Sequence, residues 1–381
     1  MRRIIICYAS YGGGHFSAAK NIKEYIEQNY TDCDVFLFDS MKYINKAIDK
    51  ICGSTYNTIT KSVPWFWGKV YYHTQSPIFE KILSLSNKLL AYKLNKLLNE
   101  LNPEVIISTH FFVGHMCATL KKHGKIDAKL VNVITDYGDD PYNEWIAEHE
   151  YLDYIFVAHD EMKTNLVQKG VDEQKIYATG IPISSKFLIH YNKNKILESL
   201  NFTDDKKTIL FFAGGEFGLA KNKITELLKN LAIYFENTQI IAIAGKNETI
   251  KQHFEEISNE YNAENRIRVF DFTDRVAEFM YVSDLVITKP GGLTSTESIV
   301  SKLPLLIINP IPGQETENAE FLEERGVGIL LQKNDDIDLA LDGLLNNQEE
   351  LDLMKRNCEK IAKPNSTKDI CEILLNNKIG H

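Results

Sequence analysis

The sequence predicts an α/β protein built from two open, parallel-sheet domains in tandem. Short, mostly apolar runs alternate with longer amphipathic stretches, the alternation pauses at a polar segment and restarts, and glycine-rich turns follow several of the apolar runs. Apolar runs without a polar alternate position, separated by helical stretches, read as parallel strands buried on both faces. "RIIICYAS" (3–10) precedes a helix at about 15–28, and "CDVFLFDS" (33–40) follows it. After a long helical region come "PEVIISTH" (103–110), "KLVNVITD" (129–136), "DYIFVAH" (153–159) and "KIYATG" (175–180). The second half opens with "KTILFFAGG" (207–215) and a helix at about 219–235. It continues through "TQIIAIAG" (238–245), a helix near 248–260, "IRVFDF" (267–272), "DLVITKPGG" (284–292), a helix from about 294, and "LPLLIINP" (303–310). The expected division is an N-terminal domain at 1–186, a linker at 187–206, a C-terminal domain at 207–360, and a helix at 361–381 able to pack back on the first domain. In open α/β sheets ligands bind at the C-terminal ends of the strands, so a cleft between the two halves is the expected active site.

Composition narrows the function. The chain has 381 residues, 44% hydrophobic and 25% charged, as in an ordinary soluble protein. Its net charge of −9 argues against a general nucleic-acid binder. The charge is uneven, however: residues 1–100 carry 13 Lys+Arg against 8 Asp+Glu, and within 41–100 the count is 9 against 3. That basic portion suits an anionic surface. Segment 41–100 is also a large insertion for one β–α–β step, and it holds "VPWFWGKVYYHTQSPIF" (63–79). Trp65, Phe66 and Trp67, close to Lys69, suit a membrane interface, where ring bodies sit among headgroups and ammonium tips stay wet. The plainer reading is a helical subdomain with an aromatic core. Six cysteines without a CxxC pair read as reduced thiols. The first apolar run is too short for a signal peptide, and no run is long enough for a spanning helix, so a membrane would be met from the side.

Five clusters can carry chemistry. Gly12, Gly13, Gly14 and His15 lie between a strand and a helix, where glycines allow close approach and the helix start offers free N–H groups. The spacing fits neither GxGxxG nor GxxxxGK[ST]. The helix dipole disfavours a charged His15, which can then serve as a base or merely as a cap. "FFAGGEFGLAKNKI" (211–224) contributes Gly214 and Gly215 as a candidate diphosphate loop. "TKPGGLTSTESIV" (288–300) contributes Gly291, Gly292, Thr294 and Glu297, whose carboxylate can accept from two ribose hydroxyls or simply cap its helix. "INPIPGQETENAEFL" (308–322) contributes Gln314, Glu315 and Asn318, suited to reading sugar hydroxyls. In the first half, His110 and Asp136 end strands. No close metal-ligand spacing such as HExxH appears, so no metal site is expected.

The ordered set "YGGGHFSAA", "STH", "VITD", "KIYATGIPI", "TKPGGLTSTE" and "PIPGQETEN" resembles bacterial processive diacylglycerol glycosyltransferases and plant monogalactosyldiacylglycerol synthases, relatives of MurG-type enzymes. The resemblance spans about residues 3–350. It implies the GT-B architecture, two Rossmann-like domains facing across a cleft, with a UDP-sugar on the C-terminal domain and a lipid acceptor on the N-terminal one. It implies inversion without a bound metal or tightly held cofactor. By position, Gly214 and Gly215 match the diphosphate loop and Glu297 the ribose-binding glutamate. Gln314, Glu315 and Asn318 match the sugar-reading segment, while Gly14 and His15 match the part that meets diphosphate and acceptor. One departure stands out: "TDYGDDPYNEW" has no histidine before Trp145, where the family usually has one.

The resulting expectation is an inverting transferase that moves glucose or galactose from UDP-glucose or UDP-galactose to the 3-hydroxyl of diacylglycerol, or to a glycosyl-diacylglycerol. It would work from the cytoplasm at an anionic membrane surface, with no nucleic-acid partner and no oligomeric state specified. His15 and Asp136 are the candidate bases; His110, Trp65, Phe66, Trp67 and Lys69 are expected on the acceptor and membrane side. The alternatives are a MurG-like transferase with a polyprenyl or soluble acceptor, a UDP-sugar hydrolase or 2-epimerase, and a non-catalytic nucleotide-sugar sensor.

Overall fold

Ile4, Ile5, Ile6 and Cys7 have no solvent exposure, so strand β1 (Arg2–Tyr8) is covered on both faces, as its unbroken apolar run requires. The computed structural model describes residues 1–9, 13–40, 94–138, 146–213, 221–332 and 335–376. The expectations for Trp65, Phe66, Trp67 and Lys69, and for Gly214 and Gly215, lie outside the described residues.

The chain forms two compact units. The first comprises Met1–Ser184, Pro312–Glu317 and Lys363–His381. Its parallel sheet has the order β2-β1-β3-β4-β5-β6, with β2 (Cys33–Asp39), β3 (Val105–Ser108), β4 (Lys129–Val133), β5 (Tyr154–Phe156) and β6 (Ile176–Tyr177). Helices α1 (Gly13–Asn29), α2 (Phe111–Lys122) and α3 (Asp160–Gln168) follow β1, β3 and β5. Ala18, Ala19, Ile22 and Ile26 form the stripe that α1 buries, at the spacing that puts side chains on one helix face. The strand order reverses direction between β1 and β3. The loops after these two strands therefore flank the switch point, where open α/β sheets place their ligands.

The second unit comprises Ser185–Ile311 and Asn318–Ala362. Its parallel sheet has the order β12-β11-β10-β7-β8-β9, built from β7 (Lys207–Phe212), β8 (Thr238–Gly245), β9 (Ile267–Asp271), β10 (Leu285–Thr288), β11 (Leu305–Ile308) and β12 (Gly328–Leu331). Its switch point lies between β7 and β10. The helices are α4 (Lys193–Ser199), α5 (Lys221–Tyr234), α6 (Glu248–Glu260), α7 (Val276–Val282), α8 (Gly292–Val300), α9 (Gln314–Glu324), whose first four residues belong to the first unit, α10 (Ile337–Leu345) and α11 (Gln348–Ile361). The last helix, α12 (Ser366–Leu375), packs Ile370, Cys371, Leu374 and Leu375 into the core of the first unit. Ser366 Oγ donates to Ile181 O at 2.8 Å and Thr367 Oγ1 to Ile183 O at 2.7 Å, which pins the start of α12.

Segment 187–206 is not a bare connector. It carries α4 and buries Ile196, Leu197, Leu200 and Phe202 within the second unit. Gln239 exchanges two hydrogen bonds with the Thr203 backbone, at 2.6 and 2.9 Å. A few apolar residues at helical spacing outweigh the polar composition that suggested a linker. The described cysteines are free and buried, and burial pushes the Cys7 thiol up to about 12. Among the described residues, no helix is long and apolar enough to cross a membrane.

Candidate functional site

His15 stands on the first turn of α1, and the ends of two strands reach it. Its Nδ1 lies 2.6 Å from Thr109 O, just beyond β3, and 3.0 Å from Thr135 Oγ1, just beyond β4. Thr109 Oγ1 donates to His15 O at 2.9 Å, so backbone and ring are held together. A carbonyl oxygen only accepts, so Nδ1 carries a proton donated to Thr109 O. In the neutral ring, Nε2 then keeps its lone pair. Burial pushes the His15 pKa down, opposed by the negative charge of Asp136 and by the Thr109 carbonyl, and the net shift is downward. The ring is therefore neutral near pH 7, with a base at Nε2.

His110 is buried, only 6% exposed, at the N-cap of α2. Its Nδ1 accepts from Phe112 N at 3.2 Å, and its ring meets the His15 ring edge-on, centroids 4.8 Å apart. Burial and the nearby His15 push its pKa well down. The sequence expects His110 on the acceptor side; its ring is held inward at the N-cap, where it reaches a free N–H group of the helix. Asp136 follows β4, and its Oδ2 accepts from Gln314 Nε2 at 3.2 Å within the first unit. His15, His110, Asp136 and Gln314 are thus brought into one neighbourhood, while Gly14 lies beside them on α1.

In the second unit, Gly291 starts α8 with extended backbone and no side-chain cap. The first intrahelical bond runs from Ser295 N to Gly291 O at 2.9 Å. The N–H groups of Gly292, Leu293 and Thr294 are left for an anion or water. Glu297 lies on the same helix, half-buried, and among the described residues its carboxylate has no hydrogen-bond or ion-pair partner. Burial pushes its pKa up to about 8. Such a carboxylate is suited to hydroxyl donors, which would favour its ionised form. Asn318 is fully buried and donates from Nδ2 to Pro290 O at 2.9 Å, which ties α9 to the turn that precedes α8. Its place is that of a support for the turn. Gly313, at φ 106, supplies the left-handed turn that leads into Gln314 and Glu315 at the start of α9. Among the described residues no group of three or more His, Cys, Asp or Glu is arranged to hold a metal ion.

Three residues that hold the candidate site together escaped the sequence reading. Thr109 and Thr135 fix His15 from 94 and 120 positions away. Both lie in the strings "STH" and "VITD", so their presence at strand ends was the available signal. His159 caps α3, accepting from Met162 N at 3.4 Å, and its Nε2–H donates to Tyr137 O at 3.0 Å. It steadies the loop that carries Asp136, and only its place at the end of "DYIFVAH" hinted at it.

The family model for monogalactosyldiacylglycerol (MGDG) synthase matches residues 15–183, and that for UDP-N-acetylglucosamine 2-epimerase matches residues 150–375. A processive diacylglycerol beta-glucosyltransferase of Bacillus licheniformis is 30% identical, over 99% of this chain and 97% of that protein. One of Staphylococcus aureus is also 30% identical, over 100% of this chain and 94% of that protein. Among solved structures, Acinetobacter baumannii MurG matches with a TM-score of 0.66 at 14% identity, covering 99% of this chain and 100% of that one. The S. aureus MnaA–UDP structure matches with a TM-score of 0.65 at 14% identity, covering 99% and 97%. At such identities the likeness shows the fold, the two-Rossmann-domain GT-B architecture.

Proposed function

The chain belongs to the processive diacylglycerol glycosyltransferase family, UDP-sugar-dependent hexosyltransferases of GT-B fold, and on that premise we propose the following reaction. A hydroxyl of a diacylglycerol-type lipid, the 3-hydroxyl or one on a sugar already attached, attacks the anomeric carbon of a UDP-hexose from the face opposite UDP. The product is a β-glycoside. The names of the chain-long relatives favour glucose as the sugar. The observation that carries the reading is the His15 ring, neutral and donating from Nδ1 to Thr109 O, which leaves Nε2 to take a proton.

An alcohol is a weak nucleophile until a base removes its proton as the bond forms. His15 Nε2 is that base, and the charge of Asp136 stabilises the imidazolium that results. This divides the work between the two candidates: His15 moves the proton, Asp136 supports it and is itself held by Gln314. Glu297 accepts from the ribose hydroxyls. The N–H groups at the start of α8, with the stretch that holds Gly214 and Gly215, are assigned to the diphosphate, and fixed dipoles at the helix start suit the departing UDP anion. Gln314 and Glu315 read the sugar hydroxyls, and Asn318 holds the turn beside them. The acceptor lies in a bilayer, so the protein works at the membrane surface. The basic, aromatic segment 41–100 is the part proposed to touch an anionic leaflet on the cytoplasmic side.

The match to a 2-epimerase model over residues 150–375 favours a second reading, UDP-sugar epimerisation or hydrolysis. That match omits the part of the chain holding His15, His110 and Asp136, for which the acceptor reaction gives a use. One assay separates the readings: purified protein with diacylglycerol vesicles and each UDP-hexose, read by product mass and linkage. A β-hexosyl lipid supports transfer; a free sugar or an epimer, made equally without lipid, contradicts it.

A further inference from the structure

We propose that His110 is a positioning residue for His15: its ring, locked at the N-terminus of α2, walls the imidazole into the orientation in which Nε2 faces the acceptor. The proposal rests on the reading of His15 as the base. The contacts of Nδ1 with Thr109 O and Thr135 Oγ1 fix the tautomer but hold the ring at one atom only, leaving the Nε2 edge to tilt about it. A second rigid surface is needed to stop it, and His110 is placed to supply one. The two rings meet at 76° with centroids 4.8 Å apart.

His110 is itself immobile. Its Nδ1 accepts from Phe112 N, its ring stacks on Phe111 with centroids 4.7 Å apart, and Ser108 Oγ donates to its carbonyl at 2.7 Å. Turning the ring would break the cap and leave a helix N–H unpaired. The tripeptide Ser108-Thr109-His110 therefore acts as one clamp. Ser108 fixes His110, Thr109 fixes the tautomer and backbone of His15, and His110 closes the side of the ring. Because its Nδ1 is used as an acceptor, His110 holds its own proton on Nε2 in the neutral form and does not serve as a second base through Nδ1. The titratable groups that face His15 are Asp136, from the loop after β4, and His110; Thr109 and Thr135 are its neutral polar neighbours.

Two variants divide the ring from the cap. His110→Asn keeps an oxygen acceptor for Phe112 N–H but removes the wall. His110→Phe keeps a wall but loses the acceptor. The full chain is assayed with diacylglycerol vesicles for kcat, KM for the UDP-hexose and the pH profile, alongside thermal melting and an NMR titration of the His15 ring. In His110→Asn, the base is free to swing, and kcat falls by about 10–100-fold with KM little changed. Water then reaches His15, so its titration and the acid limb of the profile move to higher pH. His110→Phe, though melting lower, restores most of kcat and the original limb. An unchanged His15 titration and kcat in His110→Asn overturn the proposal, as does a loss in His110→Phe that matches His110→Asn. Wild-type turnover in His15→Ala would instead refute His15 as the base. The NMR titration in His110→Asn still scores the wall in that case, since it reads the ring and not the reaction.

Discussion

His15 and Glu297 are each shifted by burial, in opposite chemical senses. Burial keeps the imidazole free of its proton and keeps the carboxyl in possession of one. Glu297 gives a pH signature. The folded carboxyl holds its proton up to about pH 8, whereas the ordinary value is 4.5. Between those values folding takes up a proton, so the Glu297 contribution makes stability fall as pH rises through that window. On the proposal that Glu297 accepts from the ribose, the hydroxyls favour its ionised form and UDP binding should release the proton. UDP affinity measured by calorimetry should rise from pH 7 towards 8, by at most about tenfold per unit, and level off above. In Glu297→Gln this rise should disappear, leaving only what UDP's own ionisation contributes; an equal rise in both proteins would remove Glu297 from the ribose. The sequence singles out His15 because three glycines and a lone histidine stand between a strand and a helix. Its partners were not, because contacts across 94 and 120 positions depend on which strands the sheet makes neighbours.

At the scale of elements, the site depends on how closely helices approach the sheet. Gly114 on α2 faces Asn132 on β4, and a Cβ at this position would collide with the buried Asn132 amide. Gly114→Ala should push α2 off the sheet and cost about 1–3 kcal/mol, read as a lower urea midpoint. Because α2 carries His110, turnover should fall as well; a midpoint and turnover like those of the wild type would show that the contact relaxes freely. Every strand but β12 was readable, since a sheet covered on both faces leaves few polar positions to obscure its runs; β12, a four-residue edge strand opened by a glycine, gave too short an apolar run. Segment 187–206 was not, because its buried residues are a minority in a polar stretch. Nor was the detail of α12, whose anchoring bonds reach residues 185 and 184 positions away.

For the whole molecule, the sequence supplied the division into two α/β halves and a basic stretch on an acidic chain. Neutralising Lys61, Lys69 and Lys81 together with replacing Trp65 and Trp67 should weaken sedimentation with anionic vesicles while leaving UDP binding intact. Unchanged sedimentation would remove segment 41–100 from the membrane contact. The central claim joins the donor, the lipid and the base, so its most direct test measures all three together. UDP release and lipid product are followed for the wild type and His15→Ala, with and without diacylglycerol vesicles, at matched UDP-hexose occupancy. The account predicts lipid-dependent release matched by β-hexosyl lipid in the wild type. In the variant, the donor should bind as before and turnover should fall by about 10²–10⁴-fold. Undiminished turnover in the variant, or release without lipid product in the wild type, would contradict it.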